Sequence, residues 1–111
     1  MNMSYVPNQG DIIWLDFTPQ SGHEQKGRRP AVVISNDFFN RQTGLSLVCP
    51  ITSTRRNHPL HIVVDNCLAV SGFIMVEQVK SVDYTSRNAE FIQIAPNKVL
   101  NEVLSILHAC L

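Results

Sequence analysis

Positive charge is unevenly spread along this chain. Lys26, Arg28 and Arg29 lie in Gly22-His-Glu-Gln-Lys-Gly-Arg-Arg-Pro30, and Arg55 and Arg56 in Thr52-Ser-Thr-Arg-Arg-Asn-His-Pro59, so two short segments hold five of the nine Lys and Arg residues. A guanidinium forms paired hydrogen bonds with phosphate oxygens. The Thr52 hydroxyl adds one more donor, and Gly27 lets a ligand approach the backbone closely. The chemistry that suits such a set is work on a phosphodiester. Taken alone, Arg28, Arg29, Arg55 and Arg56 read as solvated loop charges. Convergence of the two segments is what would make them a site.

The elements that must bring them together follow from the apolar pattern. Asp11-Ile-Ile-Trp-Leu-Asp-Phe17 is a short β-rich run between Gly10 and Pro19, apolar on both faces, and predicts a strand covered on both sides. Thr18 to Arg29 is polar and aperiodic, a loop of a length that is usually functional or disordered. Pro30 to Ser35 reads as the second strand. Ser35 or Asn36 is suited to cap a short helix through Phe38, Phe39 and Arg41, with Gly44 ending it. Leu45 to Ile51 reads as the third strand, with Leu45, Leu47, Cys49 and Ile51 on one face. If strands two and three pair antiparallel, Arg29 and Thr52 meet at one edge of the sheet.

Further short strands are expected at His61 to Val64, Phe73 to Lys80, Ser81 to Tyr84 and Glu90 to Ile94. Pro96 fits the first turn of a helix. Val99, Leu100, Val103, Leu104, Ile106, Leu107, Cys110 and Leu111 then keep helical spacing, with polar residues opposite. The fold class is therefore mainly β with a C-terminal helix, a small, strongly bent sheet or barrel.

Bulk composition sets the limits. The 111 residues fit one domain, 1–111, with no repeat or linker. Apolar residues at 44% and charged residues at 16% mark a globular chain, and the low charged fraction hints that another subunit covers some surface. Nine basic residues balance nine acidic ones, so net charge gives no argument for nucleic acid. Cys49, Cys67 and Cys110 are odd in number, far apart and set among apolar neighbours, which reads as buried free thiols in a reducing cytoplasm. No signal peptide or membrane-spanning run is expected. No His/Asp/Glu cluster has ligand spacing, so neither a metal nor a cofactor is expected.

Four motifs occur in order: Gly10-Asp-Ile-Ile-Trp-Leu-Asp-Phe17, Glu24-Gln-x-Gly-x-Arg-Pro-Ala-Val-Val33, Pro50-x-Thr52 and Glu77-Gln-Val-Lys80. Together they resemble the MazF/PemK family of toxin endoribonucleases over nearly the whole chain. The resemblance implies an SH3-like small β-barrel of the CcdB/PemK type, a homodimer, and an acidic, partly disordered antitoxin as partner. It also implies sequence-selective cutting of single-stranded RNA, with the ribose 2′-OH as nucleophile and 2′,3′-cyclic phosphate and 5′-OH ends. The family's essential arginine falls on Arg29, its essential threonine on Thr52 and its loop acid on Glu24.

Such a reaction needs a base for the 2′ proton, donors for the phosphorane and an acid for the 5′-oxygen. Because the substrate carries its own nucleophile, no metal is required. Arg29 and Thr52 serve as donors. The base stays open: Arg29 remains protonated, Glu24 is better on acidity, and His23, His58 and His61 titrate nearer neutrality. His61 heads a strand and reads more readily as structural. Gln25, Lys26, Gly27, Arg28, Ser53, Arg55, Arg56 and Lys80 are candidate substrate contacts, with Lys80 equally readable as a solvated lysine. Trp14 and Phe17 read as core or interface rather than as base-stacking residues. The alternatives are a non-catalytic toxin of the CcdB type that binds DNA gyrase, and a decayed relative that only binds its antitoxin.

Overall fold

The structure, a computed structural model, describes residues 5–17, 27–64 and 69–111. In chain order the strands are β1 (Asp11–Phe17), β2 (Gly27–Val33), β3 (Leu45–Thr52), β4 (His61–Val64), β5 (Gly72–Met75), β6 (Lys80–Asp83) and β7 (Glu90–Ile94). Helix α1 (Asp37–Thr43) joins β2 to β3, and helix α2 (Asn97–Cys110) ends the chain. The strands form one antiparallel sheet in the order β4-β5-β3-β2-β1-β7, with β6 paired to the first half of β3. The expected mainly β architecture with a C-terminal helix is the one the chain adopts.

The sheet buries apolar side chains on both faces, as β1 required. Ile12, Val32, Cys49, Ile51, Ile62 and Ile74 belong to one core, which α2 covers with Val103 and the flanking Val99, Leu104, Ile106 and Leu107. Ile13, Leu15, Phe17, Ala31, Val33 and Val48 form a second core on the opposite face. Helix α1 begins and ends as expected. The Asn36 side chain accepts from Phe39 N–H at 2.9 Å, and Gly44 closes the helix at φ 73°.

Four boundaries differ from the sequence reading. Strand β2 starts at Gly27, not Pro30, because the hairpin with β1 continues through Leu15↔Arg29, Asp16↔Arg28 and Phe17↔Gly27. Arg28 and Arg29 therefore sit on a strand rather than in a loop. Strand β3 runs on to Thr52, where β5 pairs with it. The expected strand from Phe73 to Lys80 is divided by a 3-10 turn at Val76–Gln78. Strands β5 and β6 both run antiparallel to β3, and the turn absorbs the three-residue register difference between Ile51↔Ile74 and Leu45↔Asp83. Pro96 is the N-cap of α2 and not its first turn.

The cysteines also divide. Cys49 is buried and free, and burial, followed by the Glu77 charge, pushes its thiol up to about 12. Cys110 is free but exposed, which corrects the buried reading: the last turn of α2 extends beyond the core it covers. Cys67 lies outside the described residues. No helix among the described residues is long and apolar enough to cross a membrane.

Candidate active site

Register brings the two charged segments together. Strands β2 and β3 pair antiparallel through Val33↔Val48, Val32↔Cys49 and Ala31↔Pro50. Continued two positions beyond that last pair, the same register would set Arg29 opposite Thr52. Thr52 is paired with Phe73 of β5, and Phe73 with Val63 of β4. Side chains directly opposite one another share a face. Arg29, Thr52, Phe73 and Val63 thus form a row across four strands. Their neighbours confirm the alternation, since Ile51, Ile74 and Ile62 all turn into the α2-covered core on the other side.

Each member of the row is held for a visible reason. Thr52 is only 6% exposed, and its Oγ1 accepts from Thr54 N–H at 3.2 Å, which leaves the hydroxyl proton able to donate outward. Gly72 makes this close packing possible: at φ 145°, a Cβ there would lie 2.4 Å from the Thr52 carbonyl oxygen. Arg29 is exposed and borders a cleft of about 350 Å³ that Arg28, Trp14, Pro30 and Ile51 line from the opposite phase of the pleat. Val63 and Phe73 line a second cleft, of about 370 Å³, on the β4 side, and the Arg55 guanidinium stands 5.6 Å above the Phe73 ring. Lys80, opposite Val48, reaches over the Phe17 ring at 5.4 Å and so belongs to the same face.

Arg28 is turned the other way. Its guanidinium donates to Asp16 at 2.8 Å, to Glu90 at 2.9 Å and to the Asn88 carbonyl at 3.0 Å, tying β2 to β1 and β7. Three of its donors are thereby spent within the sheet. The Asn88 amide and Arg28 together hold the Asp16 carboxyl below its ordinary range. The folded state therefore binds this proton less readily than the unfolded chain. Stability from Asp16 is complete above the ordinary value of about 3.9 and is lost as pH falls through the lower folded value. In thermal unfolding, the gap between wild type and Asp16→Asn is expected to narrow from about pH 6 down to about pH 2. A gap that stays constant would contradict this linkage.

The comparisons with known proteins give the family and the fold. Residues 8–111 match the family model described as PemK-like, MazF-like toxin of type II toxin-antitoxin system. The chain belongs to the PemK/MazF toxin family. It is 41% identical over 85 residues to the endoribonuclease toxin MazF of Escherichia coli K12, spanning 77% of this chain and 76% of that protein. It is 39% identical over 109 residues to the endoribonuclease toxin ChpB of the same strain, spanning 91% and 90%. The crystal structure of MazF from Deinococcus radiodurans superposes with a TM-score of 0.90 at 44% identity, covering 96% of this chain and 97% of that one. A MazE-MazF structure from the same organism superposes at 0.86, again at 44% identity, with 96% of each chain covered. The bent sheet with its C-terminal helix is thus the MazF fold, as the motifs implied.

Of the residues singled out for this toxin fold, Glu24, Gln25 and Lys26 lie outside the described residues, as does His23. Gly27 opens β2 at φ 79° with open space where a Cβ would be. Ser53, Arg55 and Arg56 are exposed on the segment after Thr52. Phe17 is buried in the second core, whereas Trp14 is half-buried and faces the Arg29 cleft. Sequence reasoning missed one group. His58, His61 and Glu77 come together, with ligand atoms all within 4.8 Å of one another. This corrects the expectation that no such cluster exists. The signal was the His58-Pro-Leu-His61 spacing, but the third member comes from the distant 3-10 turn.

Proposed function

We propose that this chain is the toxin of a toxin–antitoxin pair and a metal-independent, sequence-selective endoribonuclease cutting single-stranded RNA. The observation that carries the reading is the β2–β3 register, which continued by two positions sets Arg29 opposite Thr52, beside the cleft lined by Val63 and Phe73. Arg29 donates to the phosphorane oxygens and to the leaving 5′-oxygen, and Thr52 donates to the same phosphorane. The substrate's 2′-OH attacks, leaving a 2′,3′-cyclic phosphate and a 5′-OH. Glu24 is the acid–base candidate that suits the 2′ proton. Splayed bases are held by stacking and edge contacts. Phe73 beneath Arg55 suits one such base, with Arg56 lining the same cleft, and Ser53 and Lys80 are further candidate contacts. Gln25, Lys26 and Gly27 precede Arg29 on the chain and complete the expected contacts.

A cognate acidic antitoxin and a second copy of this chain are the partners that fit. The MazE-MazF structures support the first. Exposed Phe91 and Ile94 on β7 give apolar surface that suits the second. The cytoplasm, where mRNA is available, is the compartment this activity needs.

The test is a complex RNA pool incubated with the purified chain in excess EDTA, followed by sequencing of the new 5′ ends. Cuts at one recurring word, with 5′-OH ends, are expected. No cutting would favour a toxin that acts by contact alone, and cutting only after added divalent metal would overturn the mechanism.

A further inference from the structure

The chemistry proposed above leaves His58, His61 and Glu77 without a task, and we infer that these three residues bind one divalent transition metal of the zinc class. The site is built by local chain geometry. His61 N–H donates to the His58 carbonyl at 3.1 Å, closing a turn with Pro59 at its second position. That turn stacks the two imidazoles with centroids 4.6 Å apart and planes 15° from parallel. Glu77, in the 3-10 turn, brings its Oε2 to 2.9 Å from His61 Nε2. The three ligand atoms lie within 4.8 Å of one another. On a tetrahedral zinc with bonds of about 2.0–2.2 Å they would stand about 3.4 Å apart. A side-chain rotation of exposed His58 closes that difference.

Two further observations bear on how the imidazoles would ligate. The His61 side chain is only 3% exposed, its Nε2 faces Glu77, and its Nδ1 has no hydrogen-bond partner among the described residues. A metal on Nε2 would leave Nδ1 to carry the ring proton. The His58 Nδ1 accepts from Leu60 N–H at 3.1 Å, an exposed bond whose lone pair a metal would take over, leaving the Leu60 N–H to water.

Two imidazoles and one carboxylate are the donor set of a borderline cation, not of magnesium or calcium, which prefer oxygen. Three protein ligands leave a fourth position for water. A bound ion would tie the segment after Thr52 to the 3-10 turn between β5 and β6.

The experiment uses the tag-free full chain, stripped with chelator and titrated with Zn²⁺ against a chromogenic competitor, with thermal unfolding in parallel. One Zn²⁺ per chain and a higher unfolding temperature are expected, with no competition from excess Mg²⁺. His58→Ala and Glu77→Gln should each weaken binding about 10- to 100-fold. His58 is exposed, so its variant keeps the fold, which metal-free unfolding checks. Cys110→Ser should bind as wild type. The inference is overturned by the lack of saturable binding, by wild-type affinity in His58→Ala, or by loss of binding in Cys110→Ser. The readout is binding, so it stands or falls separately from RNA cutting.

Discussion

Arg29→Ala is expected to slow RNA cutting by at least about 100- to 1,000-fold, the usual cost of losing one donor to a charged transition state. The guanidinium is exposed and lies at the end of β2, away from both cores, so the unfolding temperature should stay near that of wild type. Arg29→Lys separates charge from geometry. An ammonium keeps the charge but loses the planar pair of donors, and it should recover only part of the rate. Thr52→Ala should also slow cutting, whereas Thr52→Ser keeps the hydroxyl and should retain most of it. Rates are read as initial cleavage of a fluorogenic oligonucleotide in EDTA. Equal cutting by wild type and Arg29→Ala would mean a contaminating nuclease or a wrong assignment of the site.

Gly72→Ala is expected to damage both stability and activity although residue 72 carries no functional group. Its φ of 145° is rarely adopted by residues with a Cβ, and the new Cβ would lie 2.4 Å from the Thr52 carbonyl oxygen. That contact is backbone against Cβ, so no side-chain rotation relieves it. Strain of this kind costs about 1–3 kcal/mol, and each kcal/mol lowers the unfolding temperature of a domain this small by about 4–8 °C. The strand must also yield at Thr52, so cutting should fall well below that of wild type even where the variant remains folded. Full activity in a folded Gly72→Ala protein would show that the Thr52 backbone tolerates displacement.

The fold was legible where period and punctuation agreed. Strand β1 follows from its short β-rich run between Gly10 and Pro19, and the caps of α1 from Asn36 and Gly44. The antiparallel pairing of β2 with β3 was also legible, because it needs only the order of the strands. Less legible was what depends on partners distant in sequence. Arg28 looked like Arg29 until Asp16 and Glu90 were seen to engage it. Phe73, flanked by Gly72 and Ile74, gave no sign that it would pair with Thr52. The 3-10 turn could not be read, since Val76-Glu-Gln78 continues a strand-like composition. It forms because β5 and β6 are in different registers along one long strand.

The two adjacent arginines carry a lesson about insertions. Arg28 fastens three strands and Arg29 points to the face proposed for RNA, and only the phase of the pleat separates these duties. Adding one residue between Arg29 and Pro30 would leave composition, charge and motif order almost untouched. It would nevertheless exchange the outlooks of the two side chains, loosening the clamp and withdrawing the guanidinium from the phosphate in one step. Length variation in this toxin is therefore forbidden between Arg28 and the core-bound Ala31.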